Sequence, residues 1–458
     1  MRVLDVTAPV SVADQERKQL ELALRASAMA GPLAAALHRA GLAPANSRPA
    51  CHILDVKYVP GETCQILYEL GERLVLGALA FGSTRERTGE TGGWIAPPGM
   101  PIYFFPADPA MLGLATALRA EKMAAALTDV LPGGREGKTR VTRCRVTPLR
   151  YRPGRRCTLR LELWALHTGI GVMSSRTMFG KVYHSKEKAL SVFEQMQMLS
   201  DVNSPRTGRL VVARVAGFLP DLPMVVQEPL RGVPLDLLLD GRTRADPRGQ
   251  SGVVMAASAL ADLHGLGVRH PRPRSVGDEL WRMAYRSRSV ATVDPELGAR
   301  MADLATALHR RLEQLSLESR AQCMVHGDCK PSQFLIDGTK VGLLDFDHAG
   351  MADPALDVGT FMASLTQLGW RPSPKACRST RSNTDGSMRG LERSFLDSYC
   401  QSADVDADFR QRAVWYQAFA LLRKAQRAFA RSFRSRVPGR LVDGARRGLL
   451  SAEAGGSS

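Results

Sequence analysis

The stretch VHGDCKPSQFLIDGTKVGLLDFDHAGMADPALD, Val325 to Asp357, decides how this chain is read. An apolar start runs into the His326-Gly327-Asp328 turn, a sensible place for an exposed carboxylate. Gln333 follows five residues on, just ahead of the apolar run Phe334-Leu335-Ile336. Asp337-Gly338 has the composition of a hairpin turn, and Val341-Gly342-Leu343-Leu344 then leads out to Asp345. A hairpin of those two runs brings Gln333 and Asp345 near each other and near Asp328.

Such a set meets the demands of phosphoryl transfer. That reaction needs a group to position or deprotonate a hydroxyl, and oxygen ligands that hold Mg²⁺ against phosphates. Hard oxygen donors suit magnesium and serve softer metals poorly.

Outward from this island, the elements change character. Upstream the chain is strand-rich. Cys51–Leu70 and Cys144–Leu166 each read as a hairpin, turning at Pro60-Gly61 and at Pro153-Gly154. The two hairpins repeat at an offset of 93 residues, with seven identities in twenty ungapped positions, among them Cys51/Cys144, Tyr58/Tyr151 and Cys64/Cys157. After a five-residue shift Phe81-Gly82 aligns with Phe179-Gly180, and there the copies part, Ser83 against Lys181. A lysine bridges phosphates where a serine cannot. Helical patterns are predicted at 10–43, 109–131 and 186–199, and again at 250–267, 277–286, 295–316, 352–368, 389–400 and 406–435. Residues 89–101, with seven Gly or Pro among thirteen, and the polar stretch 371–390 read as loops. Strands first and helices later predict an α+β architecture, a small sheet-rich lobe and a larger helical lobe.

Composition narrows the function. The chain has 458 residues, 44% of them hydrophobic and 23% charged, which is an ordinary globular balance. No apolar run is long enough to span a membrane, and the first twenty residues lack a secretory pattern, so a cytoplasmic protein without a membrane partner is expected. Eight scattered cysteines without C-x-x-C spacing point to free thiols. A net charge of +17 suits an anionic partner, yet no nucleic-acid motif accompanies it, and nucleic acid is not expected. The clearest basic cluster, Arg423 to Arg447, alternates with apolar residues as a solvated helix face does.

The island resembles the aminoglycoside phosphotransferase and choline kinase superfamily. The family pattern is His-Gly-Asp, an amide five residues after that Asp, Ile- or Leu-Asp-Phe, then Asp-Pro…Asp. Here these are His326-Gly327-Asp328, Gln333, Leu344-Asp345-Phe346, and Asp353-Pro354 with Asp357. The resemblance, less sharp upstream, covers roughly 140–435. It implies a two-lobed protein-kinase-like fold with an extra module in front: 1–135 the module, 136–230 the N-lobe, 231–458 the helical C-lobe. It further implies an ATP- and Mg²⁺-dependent phosphotransferase acting on a hydroxyl of a small molecule such as a sugar, an amino alcohol or an aminoglycoside. Asp328 is then the base, Gln333 and Asp345 the metal ligands, and Asp357 a brace for the loop. Lys181 contacts nucleotide phosphates and Glu194 pairs with it, with Glu187 as the competing candidate. Arg155 and Arg156 flank the phosphate-covering turn, and Gln227, Glu228 and Leu230 form the adenine-binding linker. Asp347 is either substrate-facing or supporting. The family usually has Asn in place of Gln333, whose extra methylene shifts the metal position. A kinase-like scaffold that binds nucleotide or metabolite without turnover is the alternative, and a protein kinase is a third reading.

Overall fold

Alternation of buried and exposed residues builds two antiparallel sheets in the first half of the chain. The computed structural model describes residues 14–44, 49–59, 61–81, 92–202, 208–239, 247–269, 273–291, 293–317, 320, 322–370, 381–431 and 435–455. Pro60, Gly82 and Ser83 lie outside them. Strands β1 (Cys51–Val59), β2 (Thr63–Leu70) and β3 (Arg73–Ala80) form a meander. It is extended by β4 (Gly92–Ile95) and β5 (Met100–Phe104) in the order β1-β2-β3-β5-β4. The expected loop over 89–101 thus holds strand in its described part. β4, with Gly92 and Gly93, is an edge of the sheet, and Pro101 of β5 lies beyond the last β3 pair, Gly77–Ile102, so neither costs many ladder hydrogen bonds. Helices α1 (Asp14–Ala23) and α2 (Ala26–Arg39) share a core with this sheet through Leu20, Met29, Leu33 and Leu37 against Cys64, Ile66 and Tyr68.

The second sheet joins β6 (Thr139–Arg152), β7 (Arg156–His167) and β8 (Val172–Tyr183) to β10 (Val215–Leu219) and β11 (Met224–Gln227), in the order β10-β11-β8-β7-β6. Every second residue of β7 from Cys157 to Ala165 is buried, the period-two signature of a sheet with one face in a core. Helices α3 (Leu114–Ala117) and α4 (Ala120–Thr128) supply Leu114, Met123 and Leu127 to that core.

The two first hairpins share their register at both ends, with a bulge at Leu54 in one and at Leu149 in the other. Cys51 faces Leu70, His52 faces Glu69 and Tyr58 faces Cys64; Cys144 faces Leu163, Arg145 faces Glu162 and Tyr151 faces Cys157. Each turn also carries the same clasp. The Tyr58 hydroxyl and the Gly61 N–H donate to Glu16 Oε1 at 2.9 and 3.0 Å. The Tyr151 hydroxyl and the Gly154 N–H donate to Asp108 Oδ2 at 2.7 and 2.8 Å. Gly61 and Gly154 both hold positive φ, +71° and +61°, which costs glycine little.

By internal contacts the chain divides into two compact units, one of Met1–Phe193, Val215–Pro229 and Ala430–Phe433, the other of Glu194–Arg214, Leu230–Phe429 and Arg434–Ser458. Helix α5 (Lys186–Val202) runs from the first into the second. The second unit contains β9 (Leu210–Val212), β12 (Val233–Pro234), β14 (Phe334–Asp337) and β15 (Lys340–Leu343) as one sheet, ordered β12-β14-β15-β9. A separate pair joins β13 (Cys323–Val325) to β16 (Gly350–Ala352). Its helices are α6 (Leu235–Leu238), α7 (Pro247–His264), α8 (Val276–Ala291), α9 (Pro295–Gln314), α10 (Ala355–Gly369), α11 (Arg381–Ser402), most of α12 (Phe409–Arg431) and α13 (Val437–Gly455). The architecture is the expected α+β, protein-kinase-like arrangement, sheet-rich first and helical second, with α1 and α2 in front.

Local chemistry sets the helix ends. Asp294 caps α9 by accepting the Leu297 N–H at 3.0 Å, and Pro295 opens the first turn. α10 is buried on all sides from Ala355 to Leu365, as a helix at the centre of a core must be. Phe361 stacks on Phe395 of α11 with centroids 3.9 Å apart. Gly359 lets α12 approach closely, since a Cβ there would lie 2.5 Å from the Ala413 carbonyl oxygen. α11 begins at Arg381, so the loop expected over 371–390 is helical from 381 onward, and 371–380 lie outside the described residues. The polar first turns extend a helix whose later half is anchored in the core, and propagation costs far less than nucleation.

Candidate functional site

The loop after β13 is held by a buried carboxylate. Asp357, on the first turn of α10, accepts the His326 N–H through Oδ2 at 2.5 Å and the Gly327 N–H through Oδ1 at 2.8 Å. His264 Nε2 lies 3.2 Å from the same Oδ2, and its Nδ1 lies 2.7 Å from the Tyr399 hydroxyl. Burial alone raises the Asp357 pKa, but the hydrogen bond and charge of His264, with His326 and the Gly327 N–H, outweigh it and hold the group below its ordinary value.

His326 organises the loop from within. Its Nε2 faces the Leu344 carbonyl at 2.8 Å, and its Nδ1 accepts the Asp328 N–H at 3.3 Å. A carbonyl only accepts and an N–H only donates, so this network assigns the proton to Nε2. The ring therefore ties the Asp328 loop to the end of β15. Gly327, at φ +79°, is the second tight point: a Cβ there would fall 2.1 Å from the His348 carbonyl oxygen. Arg274 spans the same gap, donating to the Gly327 and His348 carbonyls at 3.3 Å each while Glu279 grips its Nη2 at 2.6 Å.

Asp328 emerges partly exposed from this frame, its Oδ2 2.6 Å from Lys330 Nζ. Burial pushes its pKa up; Lys330 by charge and hydrogen bond, then Arg423 and His348, more than reverse this and hold it well below the usual carboxylate range. An aspartate so depressed orients a hydroxyl by accepting its hydrogen bond more readily than it removes the proton beforehand.

The β14–β15 hairpin sets Gln333 and Asp345 together, through pairs such as Phe334–Leu343 and Leu335–Gly342. The buried Gln333 amide is satisfied when its nitrogen donates to the Asp328 carbonyl at 2.6 Å and its oxygen accepts from Lys330 Nζ at 3.2 Å. The arm that then carries oxygen lies 3.4 Å from Asp345 Oδ2. Two oxygens facing each other at that spacing call for a positive charge beside them, and here Lys330 supplies one. Asp345 sits at φ +73°, a left-handed conformation that aspartate adopts only where its surroundings enforce it. It opens the short turn Phe346–His348, whose Phe346 carbonyl accepts from the buried Gln195 amide at 2.9 Å.

Two hard oxygens are what a magnesium site shared with phosphate oxygens takes from protein, and Gln333 and Asp345 fit that demand. Among the described residues no group of three His, Cys, Asp or Glu side chains is arranged to hold a metal ion, so a closed all-protein cage is absent there. Asp347 is buried within the Phe346–His348 turn.

The other residues singled out from sequence are placed as follows. Lys181 is buried on β8, between Thr158 of β7 and Val225 of β11. Gln227 is buried at the end of β11, Glu228 is half-buried, and Leu230 packs on β15 over Gly342. Arg155 is exposed and Arg156 buried, while the Gly154 N–H of their turn is committed to Asp108. Glu194 is exposed on α5, next to the buried Gln195.

Sequence reasoning missed Lys330, Arg274, Gln195 and Asp108. Lys330 was within reach, two residues from Asp328. The other three act through backbone carbonyls or turns far away in sequence, which leave no local pattern. The basic cluster in α12 is not purely a solvated face: Arg423 and Lys424 are half-buried, and Arg423 Nε is buried.

Seven cysteines are described and all are free thiols. No single helix among the described residues is long and apolar enough to cross a membrane; the bent pair Glu16–Ala23 and Ala26–Arg39 passes that test only together.

The comparison with protein families falls on the same segment. Residues 174–391 match the phosphotransferase enzyme family. Among solved structures, a choline kinase from Cryptosporidium parvum Iowa II is similar at 12% identity and a TM-score of 0.49, over 73% of this chain and 97% of that one. A choline/ethanolamine kinase family protein from Mesorhizobium loti is similar at 14% identity and a TM-score of 0.44, over 73% and 94%. A glucosamine kinase in complex with glucosamine, ADP and inorganic phosphate is similar at 16% identity and a TM-score of 0.44, over 62% and 81%. Comparison with curated proteins finds no match. The His326–Asp357 island lies inside the span, residues 174–391, that is similar to the phosphotransferase enzyme family.

Proposed function

We propose that this protein transfers the γ-phosphate of ATP to a hydroxyl group of a small molecule, with Asp328 as the catalytic residue. The observation that carries the reading is the Asp357–His326 frame, which holds the Asp328 loop and the Gln333–Asp345 pair at one place. The acceptor hydroxyl donates to Asp328, and its oxygen forms a bond to the γ-phosphorus. The bond from that phosphorus to the β,γ-bridging oxygen breaks, ADP leaves, and the hydroxyl proton passes by way of Asp328 to solvent. Most of the acceleration comes from positioning and fixed charge.

Gln333 and Asp345 would hold Mg²⁺, which when bound neutralises phosphate charge. Lys330 holds Asp328 ionised and oriented. Lys181 is the proposed partner of the nucleotide phosphates, and Gln227, Glu228 and Leu230 of the adenine ring. Arg155, Arg156 and Glu194 remain proposals of the same reading, with Arg155 the one whose side chain is exposed at the turn.

The test is ADP release from Mg-ATP across sugars, amino alcohols and aminoglycosides, with Asp328→Asn in parallel. Acceptor-dependent turnover lost in the variant supports the reading, and turnover indifferent to it sinks the assignment. One observation favours a second reading, a nucleotide- or metabolite-binding scaffold without turnover: Lys330 contacts both Asp328 and the Gln333 amide. Tight Mg-ATP binding with no turnover on any acceptor would select it.

A further inference from the structure

Helix α12 brings a basic edge to the Asp328 loop. Arg423 and Arg427 lie one helical turn apart, with Lys424 between them. Arg423 is one of the charges acting on the Asp328 carboxylate. Lys424 in turn feels Arg423, Lys330 and Arg427 as repulsion and Asp328 as attraction. The basic groups of α12 and the loop therefore share one locality.

Among the described residues neither Arg423 nor Lys424 is in an ion pair with a carboxylate. Lys424 Nζ donates to the neutral amide oxygen of Gln367 at 3.2 Å. Asp328 already has Lys330 at 2.6 Å. The Arg423 Nε–H is buried and has no hydrogen-bond partner among the described residues. Half-buried cations gathered beside carboxylates that already have a partner are costly, and a fold retains them where an anion repays the cost. Burial first, and the neighbouring cations after it, push the Lys424 ammonium down to about 7.

We propose that the phosphate acceptor is itself an anion, a hydroxylated molecule bearing a phosphate monoester or carboxylate that docks on Arg423 and Lys424 while its hydroxyl meets Asp328. The guanidinium fork of Arg423 matches either group in geometry. The same charges disfavour polycationic acceptors, so they select as well as attract. The proposal rests on the phosphotransferase reading and names the substrate class of that site.

The experiment compares acceptors in charged and neutral pairs: ribose 5-phosphate against ribose, glucose 6-phosphate against glucose, glycerate against glycerol, with kanamycin and choline as cationic controls. ADP release is followed in the wild type, Arg423→Met and Arg423→Lys, and Mg-ATP binding is measured separately by calorimetry. The expected result is turnover that favours the charged member of a pair. Arg423→Met should raise the KM for that acceptor about 10- to 100-fold while the affinity for Mg-ATP holds, and Arg423→Lys should recover part of the loss. Preference between the phosphorylated sugars and glycerate distinguishes phosphate from carboxylate. Turnover that favours neutral or cationic acceptors, or a KM indifferent to Arg423, overturns the proposal and leaves the kinase reading intact. If nothing turns over, the thermal midpoint with ribose 5-phosphate or glycerate decides. A rise in the wild type that Arg423→Met abolishes supports the anion site even though the kinase reading fails. Its absence for every anion, with Mg-ATP still bound, rejects the site.

Discussion

Lys330 and Asp328, two residues apart in one loop, meet at 2.6 Å, so the proposed catalytic carboxylate carries its own counter-ion. The pairing keeps Asp328 ionised far below neutrality. The acid limb of the rate profile should therefore not belong to Asp328 in the wild type. Lys330→Met removes the cation, raises the Asp328 pKa, and should bring an acid limb up into view with kcat lowered about 10- to 100-fold. Measuring kcat between pH 4 and pH 8 for both proteins checks this; identical profiles would refute it.

Asp357→Asn should destabilise the His326–Asp328 loop. An asparagine keeps one acceptor oxygen and turns an N–H₂ toward backbone N–H groups that now donate to Asp357. The expected loss is about 1–3 kcal/mol. Because the folded-state pKa of Asp357 is depressed, its contribution is fully present above the unfolded carboxylate value near 4 and is lost as pH falls through the folded value. Urea midpoints from pH 3 to pH 7 should thus show a shallower acid loss in the variant.

Arg412 and Asp353 form a buried pair, Nε to Oδ2 at 2.7 Å, with side chains 4% and 2% exposed. Arg412→Met leaves Asp353 without its cation and should cost about 3–5 kcal/mol. Arg412→Met with Asp353→Leu removes both charges and should recover most of that loss. A double-mutant cycle read by chemical unfolding measures the difference, and strict additivity would show that the pair is not coupled.

Lys424 predicts a slope of the same sign in a higher pH window. Its folded pKa, about 7, lies below the ordinary lysine value, so between pH 7 and about 10 the unfolded chain binds a proton that the folded chain has released. Stability gains from this group as pH rises across that window. Lys424→Met should flatten the gain and be relatively more stable at pH 6, as thermal midpoints would show.

The chemistry of the site was legible where it is local. His326-Gly327-Asp328, Gln333 and Asp345 could be read because the two apolar runs and the Asp337-Gly338 turn imply their own hairpin. Arg274 and Gln195 were not legible, since each reaches a carbonyl through space from a distant helix or loop. The strands at 92–95 and 100–104 were hidden by Gly and Pro: the glycines of 92–95 sit on an edge strand, and Pro101 lies beyond the last pair of its strand with β3, Gly77–Ile102. The basic residues of α12 show the converse limit. Helical periodicity marks which side is apolar, yet the half-buried Arg423 and Lys424 owe their setting to what lies opposite, and no spacing along α12 reports that.

The shared register of β1–β2 and β6–β7 has a consequence for how the chain reaches this state. A polypeptide that writes one hairpin twice offers each strand a second partner whose pairing pattern matches at both ends and differs only in where the bulge falls. A folding molecule can exchange the copies within itself, and neighbouring molecules can exchange them between chains, which are the failures typical of tandem repeats. What tells the copies apart is the carboxylate that locks each turn, Glu16 from a helix ahead of one and Asp108 from a loop ahead of the other. Each is supplied by the segment preceding its own hairpin, so the lock that favours correct partnering is local in sequence for each copy.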